Sequence, residues 1–288
     1  MAALSQSIAP YFEFSRIGFV NILAFRLRYF TGIITYLVNV TVYYFIWTAV
    51  FAPGGSQLAS TSAATTGAAA GGVTIAGYGL AELITYVAVG WIIRSFYWNT
   101  IDQEMAFTVL EGKIAVELIK PISIQGMWLA RAAGESAFRL GMLTAPTALA
   151  ITFLFPVRGP ASATHFLLFV PAVAGSFLLM GAINFMIGTC AVHLKSILAL
   201  IRAKYWLIEL LSGLLIPVAF FPEAIRRVLV WLPFPHIAAT PLEIYLGKLS
   251  PAESAPALAI QWAWAAGLLL AGHWWWNASA RKLTIHGG

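Results

Sequence analysis

Six stretches of this chain stay apolar for some twenty residues each: 31–51, 79–98, 137–155, 165–190, 197–221 and 256–276, the third opening as early as Met127. A run of that length crosses a hydrocarbon core of about 30 Å as a helix. Within lipid every backbone amide and carbonyl must find its partner inside the protein, so a spanning chain is either helical or a closed barrel. Barrel strands alternate apolar and polar residues over about ten positions, and these runs do not alternate. The expected fold is therefore all-α: a polytopic membrane protein of six transmembrane helices, with residues 1–288 as a single transmembrane domain. Only 28 residues are charged, 17 basic and 11 acidic, or 10% of the chain. Soluble domains carry roughly 25%.

Orientation follows from where the basic residues fall, because Lys and Arg collect on the cytoplasmic flanks. With six spans both termini share a side, and that side holds Arg16, Arg26, Arg28, Arg94, Lys113, Lys120, Arg131, Arg139, Lys195, Arg202, Lys204, Arg281 and Lys282. Arg158, Arg226, Arg227 and Lys248 fall on the other. Thirteen against four places both termini in the cytoplasm. The first thirty residues lack the basic start, short apolar block and small-residue cleavage site of a removable leader. The expected location is the plasma (inner) membrane of a prokaryote. Nucleic acid is not an expected partner, and one cysteine, Cys190, leaves no intrachain disulfide.

Before the first span, residues 8–30 are too short and too mixed for a clean crossing. At about 100° per residue, Glu13, Arg16, Asn21 and Arg28 share an arc, with Phe12, Phe19, Leu23 and Phe30 turned largely away and Arg26 breaking the pattern. A helix lying in the headgroup layer, in contact with membrane lipid, is the expectation. Residues 52–77 are rich in Gly, Ser, Thr and Ala and uncharged, which reads as a flexible external connector. Residues 222–251 combine Pro222, Pro233, Pro235 and Pro241, which rule out one continuous helix, with Val228, Leu229, Val230, Trp231, Leu232 and Phe234, which are too apolar for a free loop. Short broken helices that dip into the outer leaflet, or pack on the bundle, reconcile the two.

The catalytic signatures are missing. There is no H-E-x-x-H, no G-x-S-x-G and no paired Cys–His cluster. Gly112-Lys113 is followed by Ile114 and Gly247-Lys248 by Leu249, so no Walker-type phosphate loop is present. His165, His193, His236, His273 and His286 sit at span ends or in loops, where a solvated or interfacial role is expected. The chain is not expected to be an enzyme, and no metal or cofactor is expected in it.

An ionisable residue inside a span is costly and so marks function by default. Glu82 falls at the outer end of the second run and Glu209 inside the fifth; Lys204 is five residues from Glu209, off its face. Glu135 and Arg139 have the spacing of an intrahelical pair. Arg94 can snorkel to the cytoplasmic surface. Ala137, Gly141 and Ala145 recur every fourth residue, a spacing suited to a close helix contact. Tyr43, Tyr44 and Trp47, with Glu209, form a candidate translocation path for an amphiphile, although a lipid-facing aromatic belt accounts for the three aromatics equally well.

Against this background "NTIDQEMAFTVLEGKIAVELIKPIS", residues 99–123, stands out. Glu111, Lys113, Glu117 and Lys120 crowd into ten residues between the second and third spans. Asp102 and Glu104 favour a helix start, since acids offset the positive end of the dipole. Gly112 allows a bend, and Pro121 ends the second piece. A short amphipathic helix pair at 101–120, projecting into the cytoplasm, is shaped to enter a partner's groove; a solvated interfacial helix has the same periodicity.

"LEGKIAVELIKPIS" resembles the G-K-(L/I)-x-x-x-L-(L/I)-(R/K)-P-(I/L)-S signature of ABC-2-type transporter permeases, in particular the branch of paired permeases served by a separate ATPase. "LPFPHIAATPLEIYLGKLS" is similar to that branch's segment before the last span, "LAFRLRYF" to its N-terminal entry, and "RKLTIHGG" to its tail. The resemblance implies six transmembrane helices, the N-terminal interfacial helix at 8–30 with Arg16, Arg26 and Arg28, and re-entrant helices at 222–251 carrying Pro222, Trp231, Pro233 and Phe234. It also implies an ATPase-coupling helix at 101–120, with Glu111, Lys113 and Glu117 as docking charges, Phe107 and Leu110 filling the groove, and Asp102, Glu104 and Lys120 in the same element. Two copies of an ABC ATPase would bind ATP and Mg, and a second permease subunit would complete a homodimer or heterodimer exporting an amphiphilic or polymeric substrate. The alternative is an ion-coupled secondary transporter or flippase working without an ATPase. A structural or signalling subunit would not need the charged element.

Overall fold

The computed structural model describes residues 8–23, 27–52, 66–69, 72–194 and 196–282. Its helices are α1 (Ala9–Leu23), α2 (Leu27–Phe51), α3 (Leu80–Tyr97), α4 (Ile101–Leu110), α5 (Ile114–Leu118), α6 (Ile124–Leu154), α7 (Ala163–Thr189), α8 (Leu198–Leu211), α9 (Glu223–Leu229), α10 (Pro235–Tyr245) and α11 (Pro251–Ala280). Among the described residues, five stretches are long and apolar enough to cross a membrane: Thr31–Phe51, Leu80–Leu110, Ile124–Leu154, Ala163–Val192 and Pro251–Ala280. Ile34, Val38, Val42 and Phe45 of α2, Leu149 and Phe153 of α6, and Leu270 and Trp274 of α11 face outward. Such an outer surface suits lipid and not water.

The core is built around α3 and α7. Leu83, Tyr86, Val87 and Ala88 of α3 are buried with Leu179 and Met180 of α7, Ile208 of α8 and Leu242 of α10. A second cluster joins Met105 of α4, Met127 and Trp128 of α6, Phe185 of α7 and Trp276 of α11. Helices α4, α10 and α11 all pack along α7. Gln261 of α11 fastens that contact, donating from Nε2 to the carbonyls of Ala172 at 2.8 Å and His236 at 2.7 Å.

The run 197–221 is not one straight helix. α8 has 14 residues, about 21 Å of rise, and stops at Ser212. Gly213 then turns with φ +82°, a conformation that costs an ordinary residue about 1–3 kcal/mol. The Tyr86 hydroxyl donates to its carbonyl at 2.7 Å, and the space where a Cβ would sit lies 3.0 Å from both Ala239 Cβ and Val218 Cγ2. Gly213→Ala is therefore expected to lower stability by about 1–3 kcal/mol, read as a fall in the thermal midpoint of the purified chain.

Other expectations meet a different structure for physical reasons. The 52–77 connector contains a two-stranded antiparallel ladder, Thr66–Ala69 with Gly72–Ile75; residues 53–65 and 70–71 lie outside the described residues. α1 packs directly on the bundle. It crosses α6 with backbones touching, since a Cβ on Gly18 would fall 2.2 Å from the Arg131 carbonyl oxygen and one on Gly134 1.8 Å from that of Ser15. Gly141 has nothing within 4 Å of its Cβ position and Ala137 and Ala145 are exposed, so the 137–141–145 stripe makes no tight contact with the described residues, and the close crossing uses another face of α6. That helix carries one widened, i→i+5 turn at Leu140–Thr144.

Candidate functional site

The segment 101–120 is divided between the interior and the outside. Asp102, in the first turn of α4, is 1% exposed. It accepts a bond of 2.6 Å from Lys204 Nζ of α8, which also donates to Asn184 Oδ1 at 2.6 Å. Asn184 Nδ2 in turn donates to the carbonyl and the Oδ1 of Asn99, both at 2.9 Å. Asp102 thus turns inward, away from the docking charges with which the sequence grouped it. Further along α8, Glu209 is 3% exposed and accepts from Arg94 Nε at 2.6 Å. Arg94 also donates to the hydroxyls of Tyr36 at 3.3 Å and Tyr205 at 3.2 Å, and its guanidinium lies 4.3 Å from the Trp98 ring centre.

Arg94 therefore does not snorkel: at 7% exposure it stays inside because a carboxylate, two hydroxyls and an aromatic face replace its water. Lys204 and Glu209 do not pair with each other, as their spacing predicts. Each meets a different helix, and the two ion pairs pin α8 to α3 and α4. Glu135 and Arg139 do pair, at 3.1 Å. At the far end of α3, Glu82 meets Lys248 at 2.7 Å, and that lysine also donates to the Gly77 carbonyl at 2.8 Å.

Beyond Met105 and Ala106, which are buried, the segment emerges. Gly112, with φ +73°, turns the chain between α4 and α5. Phe107, Leu110, Val116 and Ile119 are exposed, Ile119 by 81%. Around them, Lys113 pairs with Glu111 at 2.6 Å and Lys120 pairs with Glu117, while Lys120 also lies 5.1 Å from the Phe14 ring centre of α1. Apolar side chains thus stand in the open beside charged pairs on an exposed tip that carries Phe107, Leu110, Glu111, Lys113, Glu117 and Lys120.

Between α2, α3, α6 and α8 lies a cavity of about 550 Å³. Thr35 and Asn39 of α2, Trp98, Glu104 of α4, and Arg131 and Arg139 of α6 are among its walls. Glu104 thus belongs to this wall and not to the tip. Of the candidate path, Tyr43, Tyr44 and Trp47 do not line the cavity. Tyr44 packs on Phe155 and Trp47 on Phe220, each with ring centres 5.4 Å apart, and Glu209 reaches the cavity only through Arg94. Arg16 is exposed and takes Glu13 as its partner, Nε to Oε1 at 2.9 Å, which holds the Glu13 carboxyl below its usual range. Arg26 and the side chain of Arg28 lie outside the described residues.

In 222–251, Pro222 precedes α9 and Pro235 opens α10, while Pro241 is accommodated within α10. Pro233 is buried and Phe234 half-buried; Trp231 is exposed by 78%. Hydrogen bonds from Arg227 and Arg226 keep the Glu223 carboxyl below its ordinary range. His236 is not solvated: it is buried, with Nδ1 2.9 Å from the Thr240 hydroxyl.

Asn99, Asn184 and Gln261 carry no charge and so stand outside the ionisable candidates; an amide in the middle of an apolar run, as Asn184 is in 165–190, is the local signal of such a site.

No curated protein matches the chain. The sequence signature of the ABC-2 family transporter proteins matches residues 69–287. α1, α2 and the "LAFRLRYF" segment precede that match, whereas the exposed tip at 107–120, α8 with its two ion pairs and the broken segment before α11 all fall within it. The chain belongs to the ABC-2 family of transporter proteins, a membrane transport component.

Proposed function

We propose that this chain is the membrane-spanning permease subunit of an ATP-driven exporter, which couples ATP hydrolysis on a separate nucleotide-binding subunit to the movement of an amphiphilic or polymeric substrate. The observation that carries this reading is the tip at 107–120, where five apolar side chains, Phe107, Leu110, Val116, Leu118 and Ile119, stand exposed beside two charged pairs. Two copies of the ATPase bind ATP and Mg and perform phosphoryl transfer. A second permease subunit completes the translocation path. α8 and the chain after it, to residue 221, make a sixth crossing, α9 and α10 re-enter from the outer side, and both termini face the cytoplasm of a prokaryotic cell.

An ion-coupled carrier is less well supported. Asp102 and Glu209, buried where α8 meets α4 and α3, are each neutralised by a buried cation and so are not free to exchange an ion. The test is to express the chain with its native neighbouring genes, purify it in mild detergent and measure ATP hydrolysis by the complex. Glu111→Lys with Glu117→Lys should weaken docking about tenfold or more, a loss of roughly 1.4 kcal/mol or above, while the chain itself folds as before. A chain that purifies alone, or a partner ATPase indifferent to both changes, would count against the coupling role.

A further inference from the structure

The cavity between α2, α3, α6 and α8 has the depth, charge and flanks of a headgroup site. Its α2 wall runs from Thr31 to Asn39, eight residues or about 12 Å of rise. That is well short of the about 30 Å of a hydrocarbon core, so the cavity occupies one end of the helix and does not run through it. Thr31, Thr35 and Asn39 form a polar stripe on a helix that packs Val40 and Trp47 into the core and turns Ile34, Val38, Val42 and Phe45 outward. Ile34 and Val38, beside the stripe, are exposed by 62% and 55%. A molecule entering here would put its polar end against the stripe and leave its acyl chains on Ile34 and Val38.

The charges of the wall are balanced. Among the described side chains, Arg94, Arg131 and Arg139 line the cavity with Glu104 and Glu135, and Glu209 neutralises Arg94. Two of the three pairs are closed: Arg94 with Glu209 at 2.6 Å and Arg139 with Glu135 at 3.1 Å. The third is open. Arg131 Nη2 stands 3.6 Å from Glu104 Oε2, beyond hydrogen-bond length. Arg131 Nε is buried with no hydrogen-bond partner, a group whose desolvation is left uncompensated. Among the described residues, Glu104 accepts at Oε1 only, from the Thr100 hydroxyl at 2.8 Å. Among the described residues, the wall thus holds one arginine with a buried donor unmade and its Nη2 unbonded, beside one carboxylate oxygen that accepts no hydrogen bond.

We infer that this cavity binds a zwitterionic amphiphile headgroup, its phosphate on Arg131 and its ammonium on Glu104. An arginine fork matches phosphate, and a ligand of zero net charge leaves the three-to-three balance intact. A purely anionic headgroup would bring its charge against Glu104 with nothing to offset it. The inference rests on membrane placement and on no ATPase, so a failure of its binding test is distinct from a failure of the coupling test above.

The full-length chain in detergent would be given phosphatidylethanolamine or phosphatidylglycerol of the same acyl composition, and the retained lipid counted by native mass spectrometry. Phosphatidylethanolamine should be held about tenfold better. Glu104→Gln should remove or reverse that preference, and Arg131→Gln should lower retention of both lipids. Soluble phosphoethanolamine, added as a competitor, tells the two sources of this chemistry apart. If it displaces the lipid, the site reads the headgroup alone and also takes water-soluble solutes; if it does not, the acyl chains are required and the ligand is a bilayer lipid. Equal retention of the two lipids by the unaltered chain would overturn the proposal without recourse to any variant. So would an unchanged preference in a folded Glu104→Gln chain.

Discussion

Lys204→Met should destabilise the chain by about 3–5 kcal/mol, the cost of leaving one member of a buried ion pair without its partner. The stranded group is the Asp102 carboxylate, 1% exposed, which has Lys204 as its cation at 2.6 Å. Asn184 Oδ1 loses the same donor. Methionine matches the length of the lysine stem, so the loss comes from charge and hydrogen bonding and not from a void. Lys204→Met with Asp102→Leu removes both charges and should recover most of the stability, because a buried pair replaced by apolar residues is often neutral or better. Thermal unfolding of the three chains in one detergent decides the matter. A single variant within about 1 kcal/mol of the parent would mean that water reaches the pair.

The same two pairs have a mechanical consequence for the proposed coupling role. Residues 98–100 interrupt the helix between α3 and α4, and a break of that kind would ordinarily let the tip swing independently. Here Glu209 grips Arg94 before the break and Lys204 grips Asp102 after it. α8 therefore splints the joint from the side. A displacement of the tip acts on α8 as well as on α3, and through Arg94 it acts on the wall of the cavity.

The sequence displays the long elements well and the inward chemistry poorly. Five of the six apolar runs emerge as helices long enough to cross a membrane, because length and hydropathy are local properties. The bend at Gly112 and the Glu135–Arg139 pair were legible for the same reason, as each is fixed by spacing within one element. Lys204 with Asp102 was not, since the partners are 102 positions apart and only the packing of α8 on α4 brings them together. Arg94 was misplaced because an arginine near a span end ordinarily reaches for water, and nothing local to α3 announces Glu209. The break after α8 was visible in part: Gly213 and Pro217 stand inside the fifth run, but the demand for a positive φ at Gly213 comes from Tyr86 and Ala239, which are distant in sequence.

Gly134→Ala should release α1 from the bundle, even though alanine in a helix interior is worth about 1 kcal/mol more than glycine. The reversal of sign is the point of the experiment. A Cβ at this position would lie 1.8 Å from the Ser15 carbonyl oxygen and 2.6 Å from its carbonyl carbon. Those are backbone atoms, which no change of rotamer moves aside. Gly18→Ala presents the same obstacle from the other helix, 2.2 Å from the Arg131 carbonyl oxygen, so the two variants should behave alike. Gly141→Ala, on the same α6 with nothing within 4 Å, is the matched control and should leave α1 in place. Overpacking typically costs about 1–3 kcal/mol, and here it falls on one contact, so the expected result is local detachment and not global unfolding. Trypsin reports it: cleavage after Arg16, slow while α1 is docked and helical, should accelerate about tenfold or more in both variants and not in the control. Asn21 of α1 and Arg131 of α6 both line the cavity, so detachment would also open that wall. Loss of phosphatidylethanolamine retention should then accompany the faster cleavage. Cleavage that accelerates while retention persists would confine the headgroup to the α2, α4 and α6 walls.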